Sequence, residues 1–129
     1  MKKCLVNNEN KYWEFIRKIR NSSKVKTGFI EQDHIDPREH TRFMQKYGHL
    51  YYICLLDEIP VGFVGSIDGD IRVATDPKYQ GMGIGKYMIS EIMCKYPGSY
   101  AKIKIDNEAS LALFKSCGFT EKYLILERE

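Results

Sequence analysis

The chain has 129 residues, 43% of them hydrophobic and 29% charged, which suits one globular domain over residues 1–129 with a real core. A formal charge of +3 gives no nucleic-acid stripe, no apolar run nears the roughly 20 residues of a bilayer span, and the opening MKKCLV lacks the apolar region of a secretory signal. Cys4, Cys54, Cys94 and Cys117 are far apart and form no C-x-x-C pair, and with the histidines they show no metal-ligand spacing. A cytoplasmic protein with reduced thiols is expected.

Cys4–Val6 reads as a short strand. A helix follows from a cap at Asn10 to about Arg20, with Trp13, Ile16 and Ile19 on one face. Asn21–Gln32 is polar and loop-like. Asp36-Pro37 opens a second helix with a capping carboxylate and a first-turn proline; its face carries Phe43, Met44 and Tyr47, and it ends at Gly48. Leu50–Leu56 reads as a strand, Asp57–Pro60 as a turn, and Val61–Ile67 as the next strand. Asp68-Gly69 is a tight-turn signal before a strand over Asp70–Thr75. Gly83–Tyr96 is a helix ended by Pro97-Gly98, with Tyr87, Ile89, Ile92 and Met93 as core candidates. Ala101–Ile105 is expected to be a strand, Glu108–Cys117 a short helix closed by Gly118, and Tyr123–Leu126 a final strand. The order β-α-α-β-β-β-α-β-α-β gives an α/β fold: a mixed sheet with helices on both faces.

The chemistry-bearing stretch is TDPKYQGMGIGKYM, Thr75 to Met88. It is neither a dinucleotide fingerprint nor a P-loop: Lys86 or Met88 falls where G-x-G-x-x-G needs its last glycine, and Tyr87 follows Gly85-Lys86 where a P-loop needs Ser or Thr. Gly81, Gly83 and Gly85 still let the backbone turn sharply and bring N–H groups close to a ligand. The helix that starts here aims its unpaired N–H groups at the same spot, a nest suited to a pyrophosphate.

Gln80-x-x-Gly83-x-Gly85 resembles the Q/R-x-x-G-x-G/A signature of the GNAT superfamily of acetyl-CoA-dependent N-acetyltransferases. Val73-Ala74-Thr75-Asp76-Pro77-x-Tyr79 resembles the run that precedes that signature. Asn107-x-x-Ser110-x-x-Leu113-Phe114-x-x-x-Gly118-Phe119 resembles the family's second block, N-x-x-A-x-x-L-Y-x-x-x-G-F. The element order is also the family's, and its fourth and fifth strands splay apart. The resemblance implies acetyl-CoA as cosubstrate and no metal. Gln80 belongs to the signature, and the backbone of Gly81, Met82, Gly83, Ile84, Gly85 and Lys86 would hold the pyrophosphate. Val73, Ala74 and Thr75 would line the pantetheine arm, Asn107 would hydrogen-bond it, and one strand N–H would face the thioester carbonyl oxygen.

Phe114 stands where the family usually has a proton-donating tyrosine, with Tyr79, Tyr87 and Tyr123 as stand-ins. The family's glutamate base has no counterpart: its two usual places fall near Gly69 and Lys102. Asp70 is the nearest carboxylate on the fourth strand, at a hairpin end where solvation is the ordinary state. The resemblance implies that the segment holding Glu31, Asp33, His34 and His40 forms the acceptor side, and the two histidines, His34 and His40, are the leading candidates to take the amine proton. The segments around Arg20-Asn21 and Arg38-Glu39-His40 resemble acetyltransferases of nucleotide-linked amino sugars. Arg17, Arg20, Lys24, Lys26, Arg38 and Arg42 form either a rim for a substrate diphosphate or a solvated basic face. The implied partner is a small-molecule amine, with neither nucleic acid nor membrane. The alternatives are a protein or peptide amine, or a non-catalytic acyl-CoA-binding module. Only ten residues follow Phe119, so a homodimer joined through C-terminal strands would be one way to complete the acceptor site.

Overall fold

The computed structural model describes residues 2–22 and 35–128. Four strands form one antiparallel sheet in the order β1-β2-β3-β4: β1 Lys3–Asn7, β2 Tyr51–Leu56, β3 Ile59–Ile67 and β4 Asp70–Thr75. Two tight turns join the last three. Asp57 and Glu58 have φ of 49° and 72°, and Asp68 and Gly69 have 53° and 84°. Positive φ at both central residues matches the twist of the flanking strands. The strain at Asp57 is offset locally: Lys2 N donates to Asp57 Oδ1 at 2.8 Å, and Asp57 N donates to Lys2 O at 2.8 Å.

Helices cover both faces. On one lie α1 Asn10–Asn21 and α2 Pro37–Tyr47, over a core that includes Ile16, Met44, Ile53 and Phe63. On the other lie α3 Ile84–Lys95 and α4 Glu108–Ser116, where Met88, Ile89 and Ile92 are fully buried. Each such side chain contributes roughly 1.5–3 kcal/mol of burial. Asp36 caps α2 as expected, accepting from Arg38 N at 2.8 Å and Glu39 N at 2.9 Å, with Pro37 in the first turn. The cap expected at Asn10 is one residue early, at Glu9, and makes no side-chain bond. Asn21 ties the end of α1 to the chain entering α2: its Nδ2 donates to Ile35 O at 2.8 Å and its Oδ1 accepts from Ile35 N at 2.9 Å.

Two expected strands are absent among the described residues. Residues 101–104 have no regular structure and 105–106 form a turn before α4; Ala101 and Ile103 pack on the α3 side, Ile105 is 93% exposed, and the preceding Tyr100 meets β4 through one parallel bridge to Asp70. The ladder stops there, so the mixed character of the sheet is reduced to that bridge. Tyr123–Leu126 has strand composition but no neighbouring edge to pair with, and all four side chains are exposed. Composition alone cannot hold a strand without its ladder. No helix among the described residues is long and apolar enough to cross a membrane.

Candidate active site

The site is built where β4 parts from the segment after it. Tyr100 N donates to Gly69 O at 2.7 Å and Ile71 N donates to Tyr100 O at 2.9 Å, and the pairing ends. Backbone groups alternate sides along a strand. Arg72 and Ala74 sit opposite Gly65 and Phe63 of β3, so the N–H and C=O of Val73 and Thr75 face the open edge, as those of Ile71 do. Ala74 is corrected by the same register: its backbone is turned to β3 and its side chain is buried in the α1/α2 core. Of the three residues expected to offer backbone groups to the pantetheine arm, Val73 and Thr75 have theirs turned to the open edge.

At the end of β4 the chain makes a short turn, Pro77–Tyr79, in which Asp76 Oδ1 accepts from Lys78 N at 3.0 Å. Gln80, Gly81, Met82 and Gly83 are all exposed. Gly81 and Gly83 take φ of 80° and 77°, and Gly83 is the N-cap of α3. The first-turn N–H groups of Ile84, Gly85 and Lys86 therefore have no helical acceptor. Ile84 contributes backbone only, since its side chain is buried. Gly85 also serves packing. A Cβ there would come within 3.0 Å of Leu113 Cδ2, so its absence lets α3 and α4 approach. A Cβ on Gly83 would lie 3.5 Å from the Nζ of Lys3, which reaches the loop from β1.

Asn107 caps α4, its Oδ1 accepting from Ser110 N at 3.1 Å, and that bond leaves its amide N–H groups unused. Phe114 is buried and meets Phe119 edge-on at 5.1 Å, so this position carries an apolar ring and no proton donor. Among the tyrosines named as stand-ins, Tyr87 is held by burial and by Glu91, which raise its pKa, and Tyr123 is 91% exposed in the tail.

On the α1/α2 face, Tyr51, Gly65 and Arg72 lie side by side across three strands. Gly65 makes room for the tyrosine: a Cβ there would come within 2.9 Å of Tyr51 Cδ1. Burial pushes the Tyr51 hydroxyl pKa up and outweighs the opposing pull of the nearby Arg20 and Arg72 charges. Arg72 Nε donates to Asp70 Oδ2 at 3.1 Å. Asp70 is thus mostly buried and paired, where a solvated hairpin end was expected. Tyr51, Arg72 and Lys3 are neighbours of the site that the motifs did not mark.

His40 is corrected. Its side chain is sealed between α1 and α2, with Nε2 2.7 Å from Trp13 O, to which it donates, and with a buried Nδ1 that has no partner among the described residues. Burial pushes its pKa down and outweighs the opposing effect of the Trp13 bond. A neutral, committed imidazole that holds two helices together is not placed to meet an incoming amine. His34, with Glu31, Asp33, Lys24 and Lys26, lies outside the described residues. Of the other basic-rim residues, Arg17 is paired with Glu14, Arg20 stacks over Phe43 at 5.4 Å, and Arg38 and Arg42 line a shallow hollow on α2.

Among the described residues, the edge of β4 at Val73 and Thr75 stays unpaired and leads through a short turn into the exposed glycine loop at the start of α3, and the sequence profile of the acetyltransferase (GNAT) family matches residues 13–119. The chain belongs to the GNAT family. Its structure superposes on the Vibrio cholerae spermidine N-acetyltransferase, solved in complex with CoA and spermine, with a TM-score of 0.84 at 17% identity, covering 98% of this chain and 85% of that one. RimL, a ribosomal L7/L12 alpha-N-protein acetyltransferase solved with coenzyme A, gives 0.75 at 17% identity over 93% and 81%. These identities speak for a shared GNAT fold. The N-alpha-acetyltransferase RimI of Mycobacterium tuberculosis (strain ATCC 25618 / H37Rv) is 41% identical over 49 residues, 36% of this chain and 31% of that protein. The chain thus matches less than a third of the length of that relative.

Proposed function

We propose that this GNAT-family protein transfers the acetyl group of acetyl-CoA to a primary amine. The observation that carries the reading is the free edge of β4 at Val73 and Thr75, which runs directly into a left-handed glycine loop at the start of α3. The backbone from Gln80 to Lys86 takes the pyrophosphate at the positive end of the helix. Val73 and Thr75 align the pantetheine arm along the cleft as an added strand would lie, and the Asn107 amide donates to it. The amine nitrogen forms its bond to the thioester carbonyl carbon, the C–S bond breaks, the sulfur leaves as thiolate, and the proton lost from the nitrogen as the amide forms passes to that thiolate or to water. Val73 N–H faces the oxygen that gains charge. Holding both reactants in line supplies much of the acceleration. With Phe114 at the usual acid position, the thiol leaves unassisted, which its pKa of about 8.5 allows.

The acceptor enters on the α1/α2 face, where Asp70, the carboxylate on β4 held by Arg72, takes the proton of the ammonium form through one of its oxygens. A small amine fits this single carboxylate. The expected diphosphate rim is weaker support, because Arg17 is already paired with Glu14. A protein N-terminus is the second reading, favoured by the match to RimI. The test is thiol release from acetyl-CoA with polyamines, nucleotide-linked amino sugars and short peptides, with mass spectrometry of the products. Release with a small amine and a product one acetyl group heavier is expected. Release with peptides alone would move the acceptor to the second reading. Bound acetyl-CoA without release to any amine would leave a binding module and contradict catalysis.

A further inference from the structure

Lys3 is drawn into the glycine loop by the sheet rather than by the loop's own sequence. It pairs with Leu56 at the first register position of β1, and the preceding residue is tied to the β2–β3 turn through both Asp57 contacts. That anchoring fixes the end of β1 beside the start of α3. The Lys3 Nζ lies 3.5 Å from where a Gly83 Cβ would stand. Among the described residues no carboxylate forms an ion pair with it, whereas Lys11, Arg17, Arg72 and Lys115 each have one. An unpaired ammonium therefore sits next to the positive end of a helix whose first N–H groups have no acceptor. Without a ligand the two like charges repel; with an anion between them both are satisfied.

We propose that Lys3 completes the anion site, holding the coenzyme A pyrophosphate from the β1 side while the loop amides hold it from the other. The proposal rests on the acetyl-CoA reading and adds to it a charged side chain that lies outside both sequence motifs. The ammonium acts as a point charge at the mouth of the nest, and Gly83 leaves the gap through which a phosphate oxygen reaches both.

The test is calorimetric binding of coenzyme A, dephospho-coenzyme A and pantetheine to the wild type, Lys3→Met and Lys3→Arg, with a melting curve for each variant. Lys3→Met is expected to weaken coenzyme A and dephospho-coenzyme A alike by about ten- to a hundredfold, as loss of a charged hydrogen bond does. Pantetheine, which lacks the pyrophosphate, should bind all three proteins equally, and Lys3→Arg should restore affinity for the nucleotides. Loss for coenzyme A but not for dephospho-coenzyme A would assign the ammonium to the ribose phosphate and overturn the proposal. Unchanged affinity in Lys3→Met would also overturn it while leaving the acetyl-CoA reading intact. A wild type that binds none of the three would remove both.

Discussion

Gly83 meets two demands at once. Its φ of 77° turns the chain into α3, and its missing side chain leaves the first-turn amides open. Gly83→Asp would keep a residue tolerated in this backbone region but place a carboxylate where an anion is to bind. It is expected to abolish detectable coenzyme A binding by calorimetry while lowering the melting temperature by only a few degrees, the cost of a side chain at this φ in an exposed position. His40 makes a different prediction. Its folded pKa lies below the usual value of 6.5, so the unfolded chain binds the extra proton first. Its contribution to stability is full above about pH 6.5 and is lost as the pH falls below that, towards the folded pKa. Thermal melts from pH 7.5 to 5 should show a decline that His40→Gln flattens. The burial of His40 was partly legible: His40, Met44 and Tyr47 follow i, i+4, i+7 spacing, which puts the imidazole on the face of α2 that packs.

Among the elements, those defined by local rules match their sequence signals apart from the α1 cap, which falls at Glu9 and not at Asn10. The Asp36-Pro37 start of α2, the Asp68-Gly69 turn and the glycine close after α4 depend on residues a few positions apart. The segment over 101–105 does not, because its alternation reads the same whether or not a neighbour bonds to it. The family resemblance implied strands splayed at this point, and the geometry after Tyr100 decides how early β4 is left with a free edge. Lys3 and the Tyr51–Arg72–Asp70 row were illegible for the same reason, since strand pairing brings them together across long stretches of chain. The free edge can be tested as an element. Val73→Pro removes an N–H that faces the cleft and leaves the bonds of Arg72 and Ala74 to β3 in place, a position an edge strand tolerates. The expected result is a fall in kcat of about 10²- to 10³-fold, the cost of losing one oxyanion donor, with the fold retained by circular dichroism.

For the whole molecule, an exposed strand edge is a liability that folded proteins usually cover. Here β4 is open on one side, the two half-cores hold the sheet rigid behind it, and α3 begins at its end. Under the proposed function, acetyl-CoA is what covers that edge. Amide hydrogen exchange by NMR, with and without coenzyme A, tests this directly. Without coenzyme A, the amides of Arg72 and Ala74 should be protected by β3 while those of Val73 and Thr75 exchange rapidly; on binding, Val73 and Thr75 should become protected together with the amides of Ile84 and Gly85. Coenzyme A that binds and leaves the Val73 and Thr75 amides as fast as before would contradict the proposed role of the edge.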